Sequence, residues 1–227
     1  MKAPVRRLTK DKIIWLAEHH CKHGVTYLEH YNCFLREAPP DSPFHEKIGF
    51  FDIETTNFNA DYAFLLSYAI LDMDSDELIV NVIKPDEIYS QIFDKRLVED
   101  LVKDLRKFNR IVVYNGADYR FDIPFCRTRA LRWGIEFPAY RELYVNDLYM
   151  AVKSKLKIAH KQLKTVCDLL GIPAKEHPGK PDIWIRASVG DAEALEYVKI
   201  HNAEDVISLK QLWIKLKDII LIGRRSI

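Results

Sequence analysis

Gly49-Phe50-Phe51-Asp52-Ile53-Glu54-Thr55-Thr56 reads as a buried strand that ends in two carboxylates. The lead-in from Lys47 to Phe51 supplies Ile48, Phe50 and Phe51. Side chains alternate across a strand, so Asp52 and Glu54 share a face, about 6.5–7 Å apart, while Ile53 turns into the core. Two acids on one face repel, and they need a cation or shifted pKa values. Oxygen donors at a strand end suit a hard cation, Mg²⁺ or Mn²⁺. Asp-x-Glu alone equally fits a strand that runs out into a solvated turn, so the rest of the chain has to decide.

Further along, Ile111-Val112-Val113-Tyr114 is a short, wholly apolar strand that ends in the turn pair Asn115-Gly116. It leads into Ala117-Asp118-Tyr119-Arg120-Phe121-Asp122-Ile123-Pro124-Phe125. Asp122 opens a helix that runs to about Trp133, with Pro124 tolerated in its first turn. An acid there is either an N-cap or a catalytic group, since the sites of open α/β sheets gather past strand ends. A third segment, Tyr197-Val198-Lys199-Ile200-His201-Asn202-Ala203-Glu204-Asp205-Val206, is helical. His201 and Asp205 are four apart and share a face, as a surface pair or as part of a site.

Between these segments the pattern predicts strands over Tyr62–Leu71, Leu78–Ile83 and Leu143–Val145. Helices are expected over Asp86–Phe108, Leu148–Lys155, Lys161–Leu170 and Asp191 to about Leu221. The order argues an α/β domain: a mixed five-stranded sheet flanked by helices. Asp147 follows the fifth strand as a helix cap close to the same sheet edge.

The three acidic segments resemble the three exonuclease motifs of the DEDD superfamily of 3′–5′ exonucleases. The likeness is to the branch related to family B DNA polymerase exonuclease domains and to the ribonuclease-H-like exonucleases of prokaryotes. It covers about Ile48 to Trp213, in order. It implies a ribonuclease-H-like fold, two Mg²⁺ or Mn²⁺ ions, and metal-binding acids at Asp52, Glu54, Asp122 and Asp205. The implied reaction releases 5′-mononucleotides from single-stranded 3′ ends, DNA slightly ahead of RNA. The family uses Tyr-x-x-x-Asp or His-x-x-x-x-Asp in its last motif. Here His201 holds the tyrosine spacing, as the expected base or as a group that orients water. Thr55, Thr56 and Phe58 would meet the terminal nucleotide, Phe58 as a stacking ring or a core anchor. Asn115 would reach the sugar or hold its turn. Rival readings are a structure-selective endonuclease and a nucleic-acid-binding module with a degenerate site.

The N-terminal region differs in chemistry. A helix over about Lys10–His19, with Thr9 as its cap, precedes Cys21-Lys22-His23 and His30-Tyr31-Asn32-Cys33. Cys21, His23, His30 and Cys33 could supply the donors of a tetrahedral Zn²⁺ site, or form a His-rich loop with two packed thiols. Glu37-Ala38-Pro39-Pro40-Asp41-Ser42-Pro43 is a linker, dividing an appendage (1–46) from the main domain (47–227). The appendage is expected to recruit a protein partner or nucleic acid, or to brace the domain.

With 227 residues, 48% hydrophobic and 30% charged, the chain has an ordinary globular composition. A net charge of +1 gives no global case for nucleic acid. One local basic cluster, Lys153, Lys155, Lys157, His160, Lys161 and Lys164, could track a phosphate backbone beside an acidic site. The loop Lys175–Pro181 could flank such a channel. No apolar run has the length of a membrane span, and the basic N-terminus lacks an apolar signal core. The expectation is a cytoplasmic protein, acting alone or in trans to a polymerase.

Overall fold

The structure, a computed structural model, describes residues 10–37, 42, 45–117 and 120–220. It divides into two compact units, Met1–Glu46 and Lys47–Ile227. Thr9, most of the proline-rich linker, and Asp118 and Tyr119 lie outside the described residues. The first unit contains α1 (Lys10–Glu18) and α2 (Tyr31–Glu37).

The second unit is built on β1 (Ile48–Thr55), β2 (Leu65–Asp72), β3 (Leu78–Val82), β4 (Arg110–Val113) and β5 (Tyr144–Asp147), ordered β3-β2-β1-β4-β5. Short turns join the first three strands, so these pair antiparallel; β4 and β5 add parallel to β1. This is the mixed five-stranded sheet the pattern predicts. Every residue of β2 is buried, as a central strand covered on both faces requires. Alternation sends Phe51 and Ile53 to one apolar cluster, with Leu97, Leu101 and Ile123. Phe50 goes to the other, with Val206, Leu209 and Trp213.

The expected helix over Asp86–Phe108 is two helices, α3 (Pro85–Tyr89) and α4 (Lys95–Leu105). Gln91 (φ 60°) and Phe93 (φ 50°) break it in the left-handed region. Asp94 supplies the reason. Its carboxylate accepts from the Leu65 amide (2.8 Å), Arg129 Nε (2.8 Å) and Nη2 (2.6 Å), and Trp133 Nε1 (2.9 Å). Apolar periodicity carries no trace of that anchor.

The other helices are α5 (Asp122–Arg132), α6 (Leu148–Lys155), α7 (Leu163–Leu169), α8 (Pro181–Ser188) and α9 (Ala192–Leu216), the last capped by Asp191. α8 escapes the sequence pattern because Pro181 reads as a breaker. A proline has no amide hydrogen to lose in a first turn, and here it opens the helix.

Candidate active site

The parallel strands β1, β4 and β5 all point their carboxyl ends to one edge, and the acids collect there. β1 presents Asp52 and Glu54 on the face that α9 crosses; Phe50, two residues earlier, packs on Trp213 of α9 (ring centroids 6.2 Å apart). After β4 the chain turns through Asn115 (φ 63°), a residue type that tolerates the left-handed region. Gly116 follows of necessity, because a β-carbon there would lie 1.9 Å from Asp122 Oδ2. Asp122 is the first residue of α5 rather than its cap, which is Phe121.

α9 brings His201 and Asp205 to the same place. Glu54, His201 and Asp205 each offer a donor atom within 4.8 Å of the others. His201 Nε2 lies 3.0 Å from Asp205 Oδ2 and 3.4 Å from Glu54 Oε1. Its Nδ1 is 2.5 Å from the His177 carbonyl, which can only accept, so that nitrogen carries a proton. Trp184 Nε1 donates to Glu54 Oε2 (3.0 Å), and the Lys175 ammonium is bonded to Asp205 Oδ1.

The acids sense one another strongly. Burial pushes the Asp52 and Asp122 carboxyls well above the usual carboxylate range, and like charge adds to it: Asp205, Asp122 and Glu54 act on Asp52, and Asp147, Glu54 and Asp205 on Asp122. Burial also raises Glu54, to about 7, although His201 opposes the shift. Asp205 moves the other way: burial is outweighed by His201 and Lys175, and its pKa falls. His201 is the mirror image, with burial outweighed by Asp205 and Glu54, so its pKa rises. The Lys175 ammonium and the His201 ring thus both stand against carboxylates of the cluster.

The donor set tests whether a divalent cation fits. Asp52, Glu54, Asp122 and Asp205 offer oxygen alone, the chemistry of a hard cation. Asp122 is 4% exposed, and its Oδ2 has no hydrogen-bond partner among the described residues. A buried carboxylate oxygen without a hydrogen-bond partner, beside acids held above their normal pKa, fits a hard divalent cation chemically.

The predicted nucleic-acid contacts divide. Phe58 is 80% exposed, edge-on to Phe121 (5.6 Å), so it is no core anchor. Thr55 and Thr56 spend their hydroxyls on the loop: Thr55 donates to the Asn57 carbonyl (2.9 Å), and Thr56 accepts from the Phe64 amide (3.1 Å). Asn115 is tied by its amide to Asp147 (2.8 Å) and by its side chain to Arg120. Asp147 caps α6 at Tyr149 and also accepts from the Ala117 amide (3.3 Å), bracing the turn that leads to Asp122. In the basic cluster Lys153, Lys155, Lys157, His160 and Lys164 are exposed.

Lys175 and His177 lie in the loop expected to flank the channel, whereas Trp184 and Glu204 were not singled out from the sequence. Glu204 accepts from the His177 amide (2.9 Å) and lies 2.8 Å from its Nδ1, and Tyr197 donates to the Pro178 carbonyl (2.8 Å). These bonds tie the loop to α9 and set the carbonyl that orients His201. A cleft of about 280 Å³ opens between this loop, α7 and α9, with Lys164, Lys175 and His201 in its wall.

A family model of the RNase H superfamily matches residues 49–217, and the chain belongs to that superfamily. Its members are generally hydrolytic nucleases that use divalent metals, which points to nucleic-acid processing. No curated protein matches the chain. Among the described residues no helix is long and apolar enough to cross a membrane.

Proposed function

We propose that the 47–227 unit is a 3′–5′ exonuclease of the DEDD type, hydrolysing phosphodiester bonds at single-stranded nucleic-acid ends and releasing 5′-mononucleotides. The observation that supports this reading is the cluster of Glu54, His201 and Asp205 within 4.8 Å of one another, with Asp52 and Asp122 outside that cluster but buried near enough to feel its charges. Asp52, Glu54, Asp122 and Asp205 would hold two Mg²⁺ or Mn²⁺ ions. Bound there, such ions neutralise charge on the attacked phosphate and acidify a water.

The protein groups have separable tasks. His201 keeps its Nδ1 proton on the His177 carbonyl, which leaves Nε2 as the ring atom facing the acids. Once the charge of Glu54 and Asp205 is otherwise neutralised, that ring has no reason to stay protonated. A neutral imidazole with a free Nε2 lone pair is the form a general base needs. Lys175, released from Asp205, is free to answer phosphate charge in the cleft. Phe58 offers an exposed ring on which a terminal base stacks without regard to sequence. Lys164 and the exposed lysines before α7 follow the backbone away from the site.

The test uses 5′-labelled single-stranded DNA and RNA with Mn²⁺, Mg²⁺ or chelator, beside Asp52→Ala. A metal-dependent ladder shortening from the 3′ end, absent in the variant, is the expected result. Internal cuts would replace the exonuclease with an endonuclease, and binding without cleavage in either metal would reduce the unit to a binding module.

A further inference from the structure

The function above leaves Cys21, His23, His30 and Cys33 unused. They belong to the first unit, where the chain folds back on itself directly after α1. The Cys21 amide donates to the Val25 carbonyl (2.9 Å) and the Gly24 amide to the Cys21 carbonyl (2.9 Å), closing a tight hairpin. Gly24 sits at φ 76°, a conformation that suits glycine. The bridge between His20 and Thr26 continues that hairpin, and the Cys33 amide closes on the His30 carbonyl (2.9 Å) at the start of α2. Two short turns thus aim two Cys/His pairs at one point.

The distances at that point are specific. Cys21 Sγ lies 3.7 Å from His23 Nδ1 and 3.4 Å from His30 Nδ1. Cys33 Sγ lies 3.3 Å from His23 Nδ1 and 4.0 Å from His30 Nε2. One donor atom from each of the four residues falls within 4.8 Å of all the others. A tetrahedral Zn²⁺ with bonds of about 2.3 Å to sulfur and about 2.0 Å to nitrogen has sulfur–nitrogen edges of about 3.5 Å. The three contacts to Nδ1 atoms, 3.3, 3.4 and 3.7 Å, scatter around that edge length; the 4.0 Å contact reaches the other nitrogen of His30 and is not an edge of the same tetrahedron.

Stability argues the same way. Among the described residues, the buried apolar set of this unit is Leu16, Cys21, Tyr27, Cys33 and Phe34, with Trp15 packed against it. So few side chains rarely hold a segment this short without a disulfide or a metal. We propose that Cys21, His23, His30 and Cys33 bind one structural Zn²⁺ that holds the N-terminal unit together.

The chemistry selects the ion. Two thiolates and two imidazoles form a soft-to-borderline set that favours Zn²⁺ over the hard cations suited to the acidic site. Two thiolate charges match a divalent ion. Four protein donors close the coordination sphere, the pattern of a structural rather than a catalytic zinc. The sulfurs belong to buried residues, while His23 is exposed and gives the ion an entry side.

The experiment measures metal in the purified full chain by mass spectrometry. Asp52→Ala, Cys21→Ser and Cys33→Ser are run in parallel. The expected result is one zinc per chain in the wild type and in Asp52→Ala. Each cysteine variant should show affinity lowered by at least about 100-fold, more than loss of an outer hydrogen-bond partner costs. Replacing zinc by Co²⁺ should give the thiolate charge-transfer bands and intense visible bands of a tetrahedral S₂N₂ centre. Soluble Cys21→Ser that keeps its zinc would overturn the assignment. So would a wild-type chain that takes up neither zinc nor cobalt, or a Cys21–Cys33 disulfide seen as a mass lower by two hydrogens. If the cysteine variants fail to fold, the cobalt spectrum of the wild type decides alone.

Discussion

Asp94 and Asp122 are both buried carboxylates at helix starts, 0% and 4% exposed, yet they live in opposite surroundings. Asp94 is met by two nitrogens of Arg129, the Trp133 indole and a backbone amide. Arg129 is itself 3% exposed, so the pair brings its own countercharge into the core. Asp122 faces Asp147, Glu54 and Asp205, and one of its oxygens has no partner among the described residues. The first acid is complete and holds α4 to α5. The second has like charges for neighbours, and on the proposed function a metal ion would answer them. Burial alone separates nothing here; the partner list does.

The sharpest way to break this contrast is Asp122→Asn. On the proposed function Asp122 would hold metal, and its loss would remove several kcal/mol of transition-state stabilisation, so cleavage should fall about 10³–10⁴-fold. Thermal unfolding in chelator should be unchanged or shifted upward, because a repelled charge has gone. Near-normal cleavage, or a variant that unfolds early, would make Asp122 a structural acid like Asp94.

Asp94→Asn should do the reverse. It strands the Arg129 charge in the interior, a change that costs about 3–5 kcal/mol. For a chain of this size that lowers Tm by roughly 10 °C or more. Cleavage per folded molecule, measured well below the new Tm, should survive. A silent variant would show that the bidentate geometry contributes little.

These two residues also mark what the sequence could tell. The strands, the helix of Asp122 and the helix of His201 were readable, because apolar alternation and turn residues are local signals. Asp52, Glu54, Asp122 and Asp205 were singled out through their order along the chain; the fold brings Glu54 and Asp205 together with His201, and their role as metal ligands rests on the proposal. Asp94 was invisible, since its partners lie on β2 and α5. The loop of Lys175 and His177 was expected beside the channel, but which of its groups meet Glu204, His201 and Asp205 was hidden, as was Trp184, because those contacts reach across from another element. Phe58 was ambiguous until its exposure was known. The Cys/His spacing was visible, but only the folded distances distinguish a cluster from four scattered side chains.

A third test adds cation and pH to the comparison. Glu54 has its folded pKa raised from 4.5 to about 7. A raised carboxyl means the folded chain holds its proton more tightly than the unfolded one, so stability falls as pH rises across that interval. Tm in chelator should therefore drop between about pH 5 and pH 8. Mn²⁺ at about 100 times its Kd contributes about 2.7 kcal/mol, or roughly 5–10 °C. That gain should grow over the same pH window and vanish in Asp122→Asn. A Tm indifferent to Mn²⁺ at pH 8 would remove the cation site.

The smallest effect belongs to Asp72, a buried acid whose charge the chain answers completely. Its Oδ1 accepts from the Asp74 amide (2.9 Å) and the Ser75 amide (3.2 Å), and Lys47 lies 3.2 Å from Oδ2. Burial works against the charge, but those amides and Lys47 outweigh it and hold the pKa below its ordinary 3.8. The sign is opposite to that of Glu54. A depressed carboxyl contributes stability above the unfolded value and loses it as pH falls below about 4. Asp72→Asn should cost about 1 kcal/mol at neutral pH, and the two unfolding curves should converge by about pH 2. Parallel curves down to that pH would mean that the turn after β2 is held by shape rather than by charge, and Asp72 would leave the class of acids that Asp94 defines.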